Sequence, residues 1–137
     1  MLIVVDTNVF ISAVLKSESV PRRVLDFVIV DEGMFLFSDP VLTEYTKKIE
    51  HPKFGKERLE ERKVFFKEVL KYSLVINITE KITDCRDAND NMFLELAVCG
   101  NADYIVSGDK DLCVLNPFRN IPILTPAEFL EKMRMEA

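Results

Sequence analysis

The sequence predicts an α/β fold with a central, mainly parallel sheet. Two observations carry that expectation. Short apolar runs without polar alternation recur along the chain, as strands buried on both faces require. Stretches with helical spacing of apolar residues separate them, so successive strands should be joined by crossovers rather than hairpins. The chain has 137 residues, with only four Gly and six Pro. With no linker and no internal repeat, one domain over residues 1–137 is expected.

The elements follow in order. Leu2-Ile3-Val4-Val5 reads as the first buried strand. Val9, Phe10, Ala13 and Val14 form the stripe of a first helix, and Val24, Leu25, Val28 and Ile29 that of a second. Met34-Phe35-Leu36-Phe37 is the next strand. Ser38-Asp39-Pro40 supplies a cap and first turn for a helix carrying Val41, Leu42, Tyr45 and Ile49. Leu59, Val64, Phe66, Val69 and Leu70 recur among charges over residues 57–72. Leu74-Val75-Ile76 reads as a further buried strand, followed by a helix over 88–99 bearing Phe93, Leu94, Ala97 and Val98. Tyr104-Ile105-Val106 is a strand, and Ile121-Pro122-Ile123-Leu124 is one that Pro122 assigns to a sheet edge. Thr125-Pro126-Ala127-Glu128 is a capping box opening the last helix.

Composition narrows the function. Hydrophobic residues make up 48% and charged residues 30%, which excludes a disordered chain. No apolar run approaches the roughly 20 residues that span a bilayer. Met1–Val5 is too short for a signal-peptide core. A cytoplasmic protein without a membrane partner is therefore expected. Cys85, Cys99 and Cys113 are odd in number and have no CxxC spacing, which argues against disulfides and structural zinc. One histidine, His51, excludes histidine triads and two-histidine metal sites. Any catalysis must rest mainly on carboxylates.

The net charge of −5 excludes a uniformly basic nucleic-acid binder. Residues 46–71 depart from it, with nine Lys and Arg against five acids, a net +4. The rest of the chain holds nine bases and eighteen acids, a net −9. Lys47, Lys48, Lys53, Lys56 and Arg58 in the basic segment are candidates for RNA phosphate contact.

Four acids occupy informative places. Asp6 ends the first strand, and Asp109 follows Tyr104-Ile105-Val106-Ser107-Gly108. In parallel α/β sheets ligands gather at the carboxyl ends of strands. Asp90 precedes Phe93, Leu94 and Ala97 by 3, 4 and 7 residues, which puts it on the apolar stripe of its helix. A carboxylate there is costly without partners. Glu44 lies at the margin of the buried stripe of its own helix. Asp87 fits a helix cap, Asp111 fits either a turn or a supporting role, and Asp103 and Asp26 read as solvated surface charges. Clustered carboxylates stay ionised only beside cations, and an all-oxygen donor set suits Mg²⁺ or Mn²⁺.

These residues, taken in order, resemble the PIN-domain nucleases: Leu-Ile-Val-Val-Asp6-Thr7-Asn8, Glu44 after an Asp-Pro helix start, Asp87-Ala-Asn-Asp90-Asn, and Ser107-Gly108-Asp109-Lys-Asp111. Within that family the chain is most similar to small prokaryotic VapC-like toxin proteins. The resemblance implies a three-layer α/β/α fold. It implies a Mg²⁺- or Mn²⁺-dependent endoribonuclease that hydrolyses phosphodiesters with metal-activated water, a small antitoxin partner and a homodimer. It places the acidic quartet on Asp6, Glu44, Asp90 and Asp109 as catalytic, metal-binding residues. Thr7, Asn8, Asp87, Ser107 and Asp111 fall on auxiliary positions. Phe27, Phe65, Phe66, Phe118 and Phe129 exceed what a small core needs and add to the expectation of a dimer. Two other readings stand beside it. One is a non-catalytic RNA- or protein-binding scaffold. The other is a different Mg-dependent phosphoryl hydrolase: Asp6-Thr7-Asn8 is similar to the start of haloacid-dehalogenase-like phosphatases, and Asp109-Lys110-Asp111 to the paired acids of Toprim domains.

Overall fold

The computed structural model describes residues 1–136. Five parallel strands form one sheet in the order β3-β2-β1-β4-β5. They are β1 (Leu2–Val5), β2 (Met34–Phe37), β3 (Ser73–Val75), β4 (Tyr104–Val106) and β5 (Ile123–Leu124). The helices are α1 (Thr7–Leu15), α2 (Val20–Val30), α3 (Asp39–Ile49), α4 (Leu59–Leu70), α5 (Asn91–Cys99), α6 (Lys110–Cys113) and α7 (Pro126–Glu136). Helices flank the sheet as expected. Helix α1 packs on α2, α3 and α4, α5 packs on β1, β2 and β4, and α7 packs on α2 and β5.

The central strands are apolar throughout because both faces are covered. Ile3, Val4, Phe35, Leu36, Ile105 and Val106 are all buried. Helix starts follow the local chemistry. The Ser38 hydroxyl accepts the Val41 N–H at 3.4 Å, with Pro40 in the first turn. Thr125 and Glu128 bond reciprocally at 2.9 and 3.2 Å, the expected capping box. Pro122 lies just before the edge strand β5, and its carbonyl accepts the Ile105 N–H at 2.9 Å. At the end of α5 the left-handed residue is Asn101 (φ 53°), not Gly100. Gly100 is needed for space, since a Cβ there would stand 2.7 Å from Leu36 Cδ1.

Three sequence expectations are corrected. The run at 74–76 is not buried on both faces. Strand β3 is the other sheet edge, with Leu74 43% and Val75 64% exposed. A continuous apolar run does not distinguish a central strand from an edge strand. Asp103 is exposed but not merely solvated, because its Oδ2 accepts the Leu2 N–H at 2.7 Å and ties down the start of β1. The aromatic surplus is also absorbed internally. Phe118 and Phe129 are buried. Phe27 and Tyr104 meet Phe129 edge-on, Phe66 meets Phe10 and Tyr45, and Phe65 lies under the Arg22 guanidinium. These rings supply no reason for self-association.

Candidate active site

Sheet order brings the acids together. Strand β1 has β2 on one side and β4 on the other, so connections leave it in opposite directions and a crevice opens at its carboxyl end. Val5 pairs with Val106 in parallel register. The next residues, Asp6 and Ser107, therefore sit side by side, and the Asp6 N–H donates to the Val106 carbonyl at 3.0 Å. Asp109 lies two residues beyond Ser107. From the other side α5 presents Asp90 at its start, and α3 presents Glu44.

Asp6 is 3% exposed and caps α1, its Oδ1 accepting the Val9 N–H at 2.8 Å. Its Oδ2 accepts the hydroxyl of buried Ser107. The same Ser107 oxygen accepts the Asp109 N–H at 3.0 Å, so one hydroxyl fixes both acids. Asp109 caps α6, accepting the Asp111 N–H at 2.7 Å. Beneath them the buried Tyr45 hydroxyl donates to the Val5 carbonyl. Asp90 differs. It stands at the N-terminus of α5 without capping it, and its Oδ2 is buried with no hydrogen-bond partner. Thr7 Oγ1 is likewise buried and unpartnered.

These residues line a groove of about 200 Å³. Asp6, Glu44, Asp90 and Asp109 all face it, together with Thr7, Asn8, Asp87 and Lys48. Burial raises the Asp6 carboxyl and Asp109 adds to the rise, while bonds from Ser107, Val9 and Gly108 oppose it. The Asp90 carboxyl is pushed up to about 7, first by burial and then by the negative charges of Asp109, Asp87 and Asp6. The groove therefore works against the ionised forms of Asp6 and Asp90, which is the electrostatic condition a cation relieves. The all-oxygen donor set and the free Asp90 Oδ2 fit a hard divalent cation. As the side chains stand, no three His, Cys, Asp or Glu among the described residues are arranged to hold one ion.

The structure thus brings the whole expected quartet to one groove, with Thr7, Asn8, Asp87 and Ser107 beside it. Asp111 lies outside the groove lining, with Arg86 Nε 3.6 Å from its carboxylate. Asp87 caps the short 3₁₀ turn Ala88–Asp90, accepting the Asn89 N–H at 3.0 Å. The basic residues divide. Lys48, one turn after Glu44, lines the groove. Lys47 faces a separate hollow beside Thr43 and Glu50, Lys53 lies over the Phe54 ring, and Arg58 lines another cleft. Lys56 is exposed.

Sequence reasoning missed Tyr45, whose stripe position marked it only as core, and Asn89, which lines the groove between Asp87 and Asp90. It also missed Asn91, whose side chain accepts the Cys85 N–H at 2.9 Å and ties the preceding loop to α5. The three cysteines are free thiols. Burial pushes Cys85 and Cys113 up, away from reactive thiolate character.

Residues 2–111 match the family model of the PIN domain. The chain belongs to the PIN-domain family. This PIN domain is 33% identical to an uncharacterized protein of Methanocaldococcus jannaschii, MJ1680, over 95% of this chain and 90% of that one. It also superposes on a crystal structure of VapBC2 from Rickettsia felis bound to a DNA fragment from their promoter, with a TM-score of 0.62. That match covers 90% of this chain and 97% of the other at 17% identity, a likeness of fold. Among the described residues no helix is long and apolar enough to cross a membrane.

Proposed function

We propose that this PIN domain is a Mg²⁺- or Mn²⁺-dependent endoribonuclease acting as the toxin of a toxin–antitoxin pair. The observation that carries the reading is Asp90, a carboxylate with one buried, unpartnered oxygen among four other acids. Asp6, Asp90 and Asp109, with Glu44 at the margin, would hold the ion. When bound, such an ion polarises the phosphodiester and neutralises charge that develops on cleavage. The chain's own residues supply the rest. Ser107 holds Asp6 and Asp109 at a fixed spacing. Lys48 offers a cation beside the groove for an RNA phosphate. Asn8 and Asn89 offer neutral amides to the same strand. The toxin role draws support from the VapBC2 fold likeness, which also suggests a small antitoxin as partner. A homodimer belongs to the proposal as well, resting on exposed Leu70, Leu74 and Val75 near the β3 edge.

One observation favours the scaffold reading: no three acids are yet arranged around a single ion position among the described residues. Two measurements on chelated protein separate the readings. Millimolar Mn²⁺ should raise the melting temperature by several degrees through linkage and switch on cleavage of a labelled single-stranded RNA. Asp90→Asn should lose both effects. A chain that neither melts higher nor cleaves in Mn²⁺ is a scaffold.

A further inference from the structure

A second charged cavity lies at the other end of α1. It is a cleft of about 390 Å³, with Arg22, Arg58 and Arg62 in its walls against one acid, Glu61. Phe54 and Phe65 add two aromatic faces to the lining, and Val14, Leu15 and Ser17 the remainder. Arg62 is 4% exposed. Its Nε, Nη1 and Nη2 donate to the carbonyls of Ile49, Phe54 and Gly55 at 3.1, 3.1 and 2.9 Å. Those carbonyls solvate the guanidinium but do not neutralise it, and Arg62 forms no ion pair among the described residues. A buried charge without a counter-charge is unfavourable. Two of its five N–H donors remain unused. Arg22 sits over Phe65, its guanidinium carbon 3.8 Å from the ring centre, and its Nε is buried without a hydrogen-bond partner. That nitrogen is ion-paired with Asp26 at 3.6 Å, and Nη1 of the same guanidinium donates to the Ala13 carbonyl at 3.2 Å. Arg58 is exposed at the mouth. In a chain of net charge −5 this is a concentrated cationic site.

The cleft and the acid groove share two elements. Helix α1 lines the groove with Thr7 and Asn8 and the cleft with Val14 and Leu15, and its nine residues extend about 13 Å. At the end of α3, Lys48 faces the groove while the Ile49 carbonyl anchors Arg62. We propose that the cleft is a phosphate subsite, holding a backbone phosphodiester of a single-stranded RNA whose scissile bond lies over the acid groove. Arginine forks match phosphate oxygens in pairs, and cationic grooves with aromatic faces track strands of four or more nucleotides. Naming RNA rests on the nuclease reading, but the anion chemistry of the cleft does not.

The test is anisotropy of a labelled single-stranded RNA of about twelve nucleotides. It is run with the Asp90→Asn chain in Mg²⁺, and the RNA is checked to be intact afterwards. Arg62 variants endanger the fold, so the cleft is perturbed at two exposed lining residues, by Arg58→Glu and by Ser17→Glu. Lys132→Glu, on α7, controls for net charge. Each cleft variant should weaken binding roughly tenfold and lower the salt slope by about one, with the control changing less than about threefold. Cleft variants no worse than Lys132→Glu overturn the proposal, as does an Asp90→Asn chain that does not bind RNA. A glutamate-rich peptide whose binding the cleft variants abolish, while RNA binding is unchanged, overturns it in favour of a protein partner. If the unmodified chain fails to cleave in Mn²⁺ yet RNA binding stays sensitive to both cleft variants, the subsite stands and the nuclease reading falls.

Discussion

Replacing Asp90 by Asn should make the metal-free protein more stable at alkaline pH. The Asp90 carboxyl rises from 3.8 to about 7, with burial as the largest cause and the charges of Asp109, Asp87 and Asp6 next. A raised acid holds its proton in the folded state and releases it on unfolding. Its stabilising effect is therefore complete below about pH 4 and is lost as pH rises through about 7. A rise of about three units corresponds to at most about 4 kcal/mol. Asp90 is only half-buried on an open groove, so screening brings the expected effect to about 1–2 kcal/mol. Asp6, also raised, pushes the wild type the same way. Asn keeps the shape and carries no charge. Urea unfolding in EDTA at pH 5.5 and pH 8 measures it. The wild type should lose stability relative to Asp90→Asn between those values and fall below it by about 1–2 kcal/mol at pH 8. Equal stability at both pH values, or a variant weaker than wild type at pH 8, would refute the reasoning.

Arg62→Met should cost about 2–4 kcal/mol in urea unfolding, because it orphans the carbonyls of Ile49, Phe54 and Gly55 and loosens the connection from α3 to α4. Gly100→Ala should cost about 1–3 kcal/mol despite an ordinary φ of −94°, since the added methyl meets Leu36 Cδ1 at 2.7 Å and Ile76 Cγ1 at 3.1 Å; an unchanged urea midpoint would mean that both side chains move aside freely.

The sheet was legible in the sequence because its central strands are apolar on both faces. The acids were legible because they stand where those apolar runs stop. Asp90 was readable from its spacing to Phe93, Leu94 and Ala97. Other features depend on closure of the fold. Strand β3 carries the same residue types as a central strand, and only the strand order makes Leu74 and Val75 an exposed edge. Arg62 sits in a run of charges that reads as solvated helix surface. Its burial appears only when residues 49–55 fold back over it and their carbonyls replace water. The basic segment was a net charge along the sequence, and folding sends Lys48 to the acid groove, Arg58 and Arg62 to the cleft, and Lys47 to a separate hollow.

The four acids do not bear equally on function, because two have structural work that explains them. Asp6 caps α1 and Asp109 caps α6, and helices elsewhere in this chain are capped for the same reason by Ser19 and Ser38. Either acid would be favoured at its position in a protein with no catalysis at all. Asp90 has no such explanation. It makes no capping bond, keeps one oxygen buried and unpartnered, and is disfavoured as an ion by its three acidic neighbours. A residue that costs stability in the metal-free fold is what the proposed metal-bound state would account for. Loss of activity on replacing Asp6 would mix a lost ligand with a lost cap. On the proposed reading, replacing Asp90 separates chemistry from folding, because the change that would remove a ligand should strengthen the metal-free fold.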